Sequence, residues 1–367
     1  MFLYFINRLF LTIPTLFIIM LINFAIIQTA PGGPVERFIA QINNHSKING
    51  EVGSTNTELF NNNISANNQL KYNGSQGIDE EIIKKIEILY GFNLPLLERF
   101  LLTVKKFLIF DFGESFYQDK KVIDLIIEKI PVSLSLGIWS TFFIYLISIP
   151  LGIKKAISSG SKFDIWSSSI VIVMHAIPAF LFSILLIILF CGGNFLNIFP
   201  LRGLVSDNFA ELNFFQKIID YIWHITLPII AITIGGFASL TFFCKNSFLE
   251  EINKNYVLTA YSKGLNQKQV LYKHIARNAL LIVIAGLPSA LIGIFFTSSL
   301  LIEVIFSLDG LGLLGYESAL SRDYPVMFAS LYIFTLIGLL ANIIADFFYH
   351  VIDPRINFSS INTKSHL

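Results

Sequence analysis

The chain has 367 residues, of which 14% are charged and 54% hydrophobic, and its mean hydropathy is +0.66. Soluble domains carry about 25% charged residues, so this composition excludes an ordinary soluble domain and predicts an all-α integral membrane protein. The net charge of +1 gives no reason to expect nucleic acid as a partner. Cys191 and Cys244 belong to no CxxC or Cys/His pattern, which argues against a disulfide framework or a zinc site.

Several stretches are apolar and long enough to cross the hydrocarbon core, which takes about 20 helical residues. We predict six transmembrane helices, at residues 9–29, 132–153, 166–190, 221–244, 279–302 and 326–351. The first is longer than a signal-peptide core and has Gln28 where cleavage needs a small residue, so we interpret it as a retained helix. Prolines inside these stretches are tolerated when neighbouring helices bond the freed carbonyls; they include Pro14, Pro150, Pro178 and Pro228.

The orientation follows from the Lys and Arg residues of the short loops. An even number of spans places both termini on one side of the membrane. Arg202, Lys217 and Arg322 are the basic residues of the short loops on the other side. The side of the termini carries many more, namely Arg8, Lys154, Lys155, Lys162, Lys245, Lys254, Lys263, Lys268, Lys273, Arg277, Arg355 and Lys364. We therefore expect both termini to be cytoplasmic and the two cysteines to lie near opposite faces, too far apart to bridge.

The long segment between the first two spans, residues 31–131, is expected to be periplasmic and to have two parts. Residues 41–77 are rich in Asn, Ser and Gly and are predicted to be a flexible loop. Residues 78–130 regain helical periodicity, with helices expected from Asp79 to Gly91, over 96–109 and over 121–130, the last ended by Pro131. We expect this part to form a helical layer on the outer membrane face.

The sequence lacks the motifs of an enzyme or of an ATP site. It contains no GxxxxGK[ST], HExxH or GxSxG, so we expect no catalytic site and no cofactor. His175 and His224 fall in predicted spans, and we favour bonds within the helix bundle over a metal or proton-relay role. Glu303, Asp309 and Asp346 lie near span ends; Asp346 is an interfacial anchor or pairs there with Lys or Arg. A secondary carrier needs an ionisable residue at mid-membrane, so the apparent lack of one indicates that energy comes from another subunit.

A basic, glycine-containing stretch, residues 247–277, separates the fourth and fifth predicted spans; we call it the basic segment. An amphipathic helix is predicted over 247–263, supported by a Glu250–Lys254 pair. Gly264 is expected to end it, and Asn266 with Gln269 to cap a following helix that runs into the fifth span. Physical chemistry alone leaves two readings equally open: a helix pair on the membrane surface, or a docking element for a cytoplasmic protein.

The stretch YVLTAYSKGLNQKQVLYKHIARNALL resembles the cytoplasmic coupling loop of ABC importer permeases, whose general form is Glu-Ala-Ala, three residues, Gly. Ala260 matches the second alanine and Gly264 the glycine. Leu258 and Thr259 replace the glutamate and the first alanine, as in the dipeptide/oligopeptide/nickel branch of the family. The resemblance implies that this loop sits in a cleft of the ATPase subunit, with Thr259, Ala260, Gly264 and Leu265 as the coupling residues.

Further stretches are similar to that branch in the same order along the chain. They are RLFLTIPTLFIIMLINFAIIQTAPGGPVE, DFGESF, IIEKIPVSLSLGIWSTFFIYLISIPLGIKKA, DGLGLLGYESALSRDYPV and DPRI. The similarity covers nearly the whole chain except residues 41–77. Within the branch, the chain most resembles the microcin C/oligopeptide-type inner-membrane B permeases.

The resemblance implies a type I ABC importer permease fold with a helical periplasmic insertion between the first and second spans. It divides the chain into residues 1–30 with the first span, the periplasmic segment 31–131, a five-helix core at 132–356 and a cytoplasmic tail at 357–367. The implied function is peptide translocation across the bacterial inner membrane. The implied partners are a second homologous permease, cytoplasmic ABC ATPase subunits, a periplasmic substrate-binding protein and membrane lipid. The alternatives are a secondary carrier and a permease for another small solute, such as a dipeptide or nickel.

Overall fold

The computed structural model describes residues 2–29, 94–118, 120–192, 195–287, 290 and 299–352. These residues are largely helical, and the β interaction recorded among them is an isolated bridge between Glu114 and Lys121. The helices are α1 Phe2–Thr29, α2 Leu96–Leu108, α3 Val122–Ile157, α4 Lys162–Ala176, α5 Ala179–Phe190, α6 Phe214–Ile252, α7 Asn255–Ser262, α8 Ala276–Ala285, α9 Ser299–Ile305, α10 Leu311–Ser321 and α11 Tyr324–Ile352. A short 3₁₀ turn, Phe209–Glu211, precedes α6.

Four of these helices are long and apolar enough to cross a membrane: Arg8–Ile26 within α1, α3, α6, and Tyr324–Phe347 within α11. They confirm the first, second, fourth and sixth predicted spans as helices. The fifth predicted span, 279–302, lies partly outside the described residues, which cover it in α8 and α9. The predictions for 41–77, for the helix from Asp79 to Gly91 and for the tail also lie outside the described residues.

The third predicted span is not the single helix that we expected. It consists of α4 and α5, which meet at 90°. Pro178 lies at the break, and the preceding Ile177 has φ −81° and ψ 119°, an extended conformation. A residue before proline is pushed out of the helical region, so the expectation that Pro178 would be tolerated inside a helix was wrong. Pro14, Pro150 and Pro228, in contrast, do lie inside continuous helices.

The helix predicted over 121–130 does not end at Pro131. It continues into the second span as α3, so that Pro131 lies inside a helix of 36 residues. A proline removes one backbone hydrogen bond, and a helix continues past it where packed neighbours hold both halves. Ile126 and Ser133, on either side of Pro131, are both buried. The helix predicted over 96–109 is confirmed as α2.

Two large hydrophobic clusters account for much of the helix packing among the described residues. The larger one joins α3, α6, the basic segment and α8, and includes Leu136, Cys244, Phe248, Val257 and Ala279. The second joins α1, α2, the start of α3, α10 and α11. Helices in a membrane associate mainly through close packing, for which small residues are needed. A Cβ at Gly152 of α3 would lie 2.7 Å from the Cβ of Cys244 of α6, so glycine sets the approach of these two helices.

Ion pairs and side-chain bonds also tie the bundle. Arg8 forms an ion pair with Asp346, which joins the start of α1 to the end of α11 and matches the expected pairing of Asp346. His224 contacts the carbonyl oxygen of Asp220 at 2.8 Å, and His175 contacts that of Gly235 at 3.3 Å. Both histidines therefore bond within the bundle, as expected. Cys191 and Cys244 are free thiols.

Candidate functional site

The turn at Gly264 ends α7 in a defined hydrogen-bonded geometry. Gly264 has φ +82°, a left-handed conformation that costs glycine little. Its N–H donates to the carbonyl oxygen of Tyr261 at 2.9 Å, and the N–H of Leu265 donates to that of Ala260 at 3.4 Å. These two bonds form a Schellman motif, in which the residue after the glycine packs against the last full turn of the helix. The predicted stop at Gly264 is confirmed.

The next turn is capped as the sequence predicted. The Oδ1 atom of Asn266 accepts a hydrogen bond from the backbone N–H of Gln269 at 2.8 Å. The Oε1 atom of Gln269 in return accepts one from the backbone N–H of Asn266 at 3.2 Å. This reciprocal box starts a helical run that passes through a single turn at Gln267–Gln269 and a π-helical stretch, Val270–Ile275, into α8. π-helical turns are uncommon and often mark functional sites, and the sequence analysis did not predict this one.

The basic segment is anchored to the bundle by one face. Val257, Ala260, Val270 and Ile275 are buried and belong to the larger hydrophobic cluster. Leu265 is partly buried and packs against the same cluster. The Schellman turn is therefore packed on a hydrophobic cluster that it shares with α3 and α6.

The predicted amphipathic helix over 247–263 is divided in the structure. α6 runs to Ile252, and α7 begins at Asn255. Glu251 lies beside this break and accepts hydrogen bonds from Lys254 and from the hydroxyl of Tyr256, the latter at 2.6 Å. Lys254 is therefore closer to Glu251 than to the predicted partner Glu250, whose carboxylate is 4.0 Å away.

The bond to Glu251 has a consequence for Tyr256. Burial, together with the hydrogen bond to Glu251, raises the pKa of Tyr256 to about 12. Its hydroxyl therefore stays protonated, and remains a donor, throughout the physiological pH range. Asn278 of α8 is a further hydrogen-bond partner of both Glu251 and Tyr256. Glu251 thus links the end of α6, the start of α7 and the start of α8.

The opposite face of the basic segment presents large apolar side chains outward. Leu258 is 66% exposed, Tyr261 44% and Tyr272 65%. The lysines at 263, 268 and 273 of the same segment are also exposed, and residues 252–302 contain no Asp or Glu. A solvated linker has no need for such apolar side chains, so this face is suited to contact another surface that is apolar at its centre and negative at its rim. We call Leu258, Tyr261 and Tyr272 the exposed face.

The four predicted coupling residues have different positions. Ala260, Gly264 and Leu265 are brought together in the Schellman turn. Thr259 is exposed next to the exposed face, and its hydroxyl donates to the carbonyl oxygen of Asn255 at 3.1 Å. Leu258, which stands where the general family motif has glutamate, is the most exposed of the three residues of the exposed face.

A buried ionic cluster lies near the basic segment and was missed from sequence. Lys155 is fully buried, and its Nζ is 3.2 Å from the Oδ1 of Asp164 and bonds Ser167 and Ser168 at 2.9 and 2.6 Å. Lys245 donates to both carboxylate oxygens of Asp164 at 2.8 Å. The cluster joins α3, α4 and α6. The sequence analysis did not predict this buried charge, because Asp164 and Lys245, which are 81 positions apart in sequence, meet here.

Glu303 is a second buried carboxylate, which the sequence analysis had placed only near the end of a span. Its side chain is fully buried. It accepts hydrogen bonds from the hydroxyl of Ser133 at 3.1 Å and from the backbone N–H of Leu313 at 2.7 Å. Ser133 in turn accepts from the backbone N–H of Leu311 at 2.9 Å. These bonds attach the start of α10 to α3, which is a structural role.

The DFGESF stretch is attached to the loop between α10 and α11. The hydroxyl of Ser115 donates to Asp323 at 2.6 Å, and the backbone N–H of Phe116 donates to the same carboxylate at 3.3 Å. Burial raises the pKa of Asp323, and these two hydrogen bonds oppose the rise.

Among the described residues, no group of three or more His, Cys, Asp and Glu side chains is arranged to hold a metal ion.

These features describe a multi-pass helical membrane protein with a rigid, capped element that presents an apolar and basic face at one end of the bundle. Residues 148–358 match the family described as "Binding-protein-dependent transport system inner membrane component". The chain belongs to this family and is a permease subunit of an ABC importer in the inner membrane. Permeases of this family lack an ATPase site and work with ATPase and substrate-binding subunits.

The curated relatives extend over nearly the whole chain. The chain is 55% identical to the inner membrane ABC transporter permease protein YejB of Escherichia coli O157:H7, over 97% of this chain and 98% of the relative. It is 54% identical to the peptidoglycan transport system permease protein YejB of Agrobacterium fabrum, over 97% and 98%. It is 32% identical to the oligopeptide transport system permease protein AppB of Bacillus subtilis, over 97% and 99%.

Proposed function

We propose that this permease translocates peptides, of the oligopeptide or microcin C type, and that its basic segment receives the ATP-driven motion of a cytoplasmic ATPase. The observation that carries the coupling proposal is the Schellman turn at Gly264, which fixes the exposed face on a base shared with the transmembrane helices. Ala260, Gly264 and Leu265 hold the turn, and Thr259 lies beside the contact. A push on the exposed face is passed to α6 and α8 through the buried face of α7 and the bonds to Glu251.

The capped turns of the basic segment and its attachment to the core favour docking on a protein over lying on the membrane surface. A helix that only lies on a membrane needs an apolar face and a basic rim, but not two consecutive capped turns held to a core. Here the Schellman turn and the Asn266–Gln269 box leave little freedom to the segment, and the rigid side chains Tyr261 and Tyr272 are typical of protein contacts. A partner surface of the ATPase with an apolar cleft and acidic rim complements this face.

The remaining architecture follows from the same proposal. We propose six transmembrane helices, with α4 and α5 forming the third and the region from α8 to α9 containing the fifth. The Arg8–Asp346 ion pair supports termini on one side of the membrane, and the excess of basic residues on that side supports a cytoplasmic location. A second homologous permease would complete the substrate path, and the periplasmic binding protein would contact the opposite end of the bundle.

The substrate proposal rests on the relatives, two of whose names specify oligopeptide and peptidoglycan transport. The alternatives are another small solute, such as a dipeptide or nickel, and an ion-coupled carrier. A test is transport into proteoliposomes that contain the whole complex with its binding protein. We expect ATP-dependent uptake of labelled oligopeptides that excess dipeptide or Ni²⁺ does not inhibit. Uptake driven by a proton or sodium gradient without ATP would refute the importer mechanism, and ATP-driven uptake of only dipeptide or nickel would refute the peptide assignment.

A further inference from the structure

α2 exposes a leucine-rich face that no described residue covers. Leu97 is 72% exposed, Leu101 54% and Leu108 60%. Their spacing places them on one side of the helix, because residues four and seven apart lie near one another on an α-helix. The opposite side carries the buried residues Arg99 and Phe100. In water such a face would be an unfavourable apolar patch.

The contacts of α2 with α1 fix its depth relative to the membrane. The ring of Phe100 is 5.3 Å from that of Phe17 and 5.3 Å from that of Phe24. Phe17 is the middle residue of the membrane-spanning stretch Arg8–Ile26. At about 1.5 Å per residue, Phe24 lies only roughly 3 Å inside the end of that stretch at Ile26. The N-terminal half of α2 therefore lies beside the half of the span that extends from its centre to Ile26, at the level of lipid hydrocarbon.

The exposed leucines of α2 continue the exposed apolar surface of the membrane-spanning helix α1. α1 exposes Phe17, Leu21 and Ile22 along the same half of the span, at 41%, 46% and 53%. At its other end, α2 carries Lys105 and Lys106, both exposed in its last turn. A helix with apolar residues at hydrocarbon depth and lysines at its end matches a leaflet, where long basic side chains reach the phosphate groups.

We propose that α2 is embedded in one leaflet of the bilayer, with its leucine face in contact with acyl chains and with Lys105 and Lys106 in contact with lipid phosphates. The proposed orientation makes this the outer leaflet, whereas the depth of the helix does not depend on the orientation. The segment that follows the first span is then not a wholly periplasmic layer. It widens the membrane-embedded part of the permease around α1 and holds the DFGESF stretch at the membrane surface.

A cavity next to α2 is suited to the same lipid. It has a volume of about 700 Å³ and lies between α1, α2, the DFGESF stretch and the start of α11. Leu102 of α2 and Ile109, which follows α2, belong to its wall, and both side chains are exposed. Apolar rings line much of it; Arg99, Lys106 and Lys121 supply positive charge, and Asp111 and Glu114 supply negative charge. An amphiphile with an acyl chain and a charged headgroup fits this mixed lining.

The test is the depth of spin labels in nanodiscs that contain the full complex. Leu97→Cys and Leu101→Cys are labelled in a chain in which Cys191→Ser and Cys244→Ala remove the native thiols. Leu21→Cys on α1 is the control for lipid, and Glu211→Cys in the exposed turn before α6 is the control for water. Accessibility is measured to oxygen, which concentrates in the bilayer, and to a water-soluble nickel chelate.

We expect the ratio of oxygen to nickel access at positions 97 and 101 to equal that at position 21 and to exceed that at position 211 several-fold. High nickel access at 97 and 101 would overturn the proposal, because α2 would then lie in water. Low access to both reagents would also overturn it, because protein would then cover the face. Charge reversal by Lys105→Glu with Lys106→Glu is expected to raise nickel access at position 101, and no change would overturn the phosphate contact. These readouts require no transport, so they stand apart from the proposed function.

Discussion

The backbone N–H of Leu265, the residue after Gly264, donates a hydrogen bond to the carbonyl oxygen of Ala260 at 3.4 Å and so ends α7. This closure depends on a left-handed residue at position 264. A side chain there would meet open space, since no atom lies within 4 Å of a Cβ built at Gly264. The constraint on this position is therefore conformational rather than steric.

Gly264→Val is expected to abolish uptake while leaving insertion into the membrane intact. A left-handed conformation costs an ordinary residue about 1–2 kcal/mol, and more when it is β-branched, so the turn opens and the exposed face loses its position. The measurement is transport together with ATPase activity of the reconstituted complex, in which we expect hydrolysis without uptake.

The matched control for this variant is Gly113→Val. Gly113 has φ +79° and also has open space around its Cβ position, but it lies in the DFGESF stretch, outside the basic segment. The backbone cost of the two variants is the same. Because Gly113→Val leaves the basic segment unchanged, ATPase coupling is expected to survive in it. Normal uptake by Gly264→Val would remove the coupling role of the turn.

Asp164→Ala is expected to destabilise the protein more than Lys245→Met. The first change leaves Lys155 and Lys245 without their shared carboxylate, whereas the second leaves the Lys155–Asp164 pair balanced. Removing the partner of a buried charge costs about 3–5 kcal/mol. Thermal unfolding of the two variants in detergent measures the difference, and equal losses would show that the cluster is not held by charge.

The Glu303→Ala variant is expected to lose about 1–3 kcal/mol of stability, because the N–H of Leu313 and the hydroxyl of Ser133 lose an acceptor in a buried site. Glu317→Ala is the control, since Glu317 is exposed on α10. The same unfolding assay compares them. A Glu303→Ala protein as stable as the control would argue against the structural role assigned to this carboxylate.

Gly152→Ala is expected to weaken the contact of α3 with α6. The new Cβ would lie 2.7 Å from the Cβ of Cys244 and 2.9 Å from the carbonyl oxygen of Thr241, neither of which can move alone. Overpacking of this kind costs about 1–3 kcal/mol. Gly235→Ala, whose Cβ would make an ordinary 3.6 Å contact, is the control and is expected to be neutral. Indistinguishable melting temperatures would mean that the two helices can separate without cost.

The sequence predicted the features that depend on local interactions. The apolar runs of the first, second, fourth and sixth spans, the stop at Gly264 and the box of Asn266 with Gln269 each involve residues close together in the chain. The two prolines at 131 and 178 show the limit of this reasoning. Pro131 is carried within α3 because both sides of it are packed, whereas Pro178 breaks the third span, and only tertiary contacts distinguish these outcomes.

The buried charges could not be predicted for a similar reason. Lys155 and Lys245 were counted only among the basic residues of the short loops, and Asp164 was not singled out. Their meeting depends on how α3, α4 and α6 pack. The candidate site was predictable in its turn residues, while the exposure of Leu258 and Tyr261 and the π-helical stretch became visible only in the structure.

Photo-crosslinking from the exposed face tests the central claim, that the basic segment docks on the ATPase, most directly. A photoreactive phenylalanine is placed at Leu258 or Tyr261, and at Leu320 as a control, because Leu320 is 68% exposed but lies on α10. We expect irradiation of the intact complex to join the permease to its ATPase subunit from positions 258 and 261 and not from position 320. Adducts at 258 and 261 with lipid alone would contradict the docking role and make the basic segment a membrane-surface element.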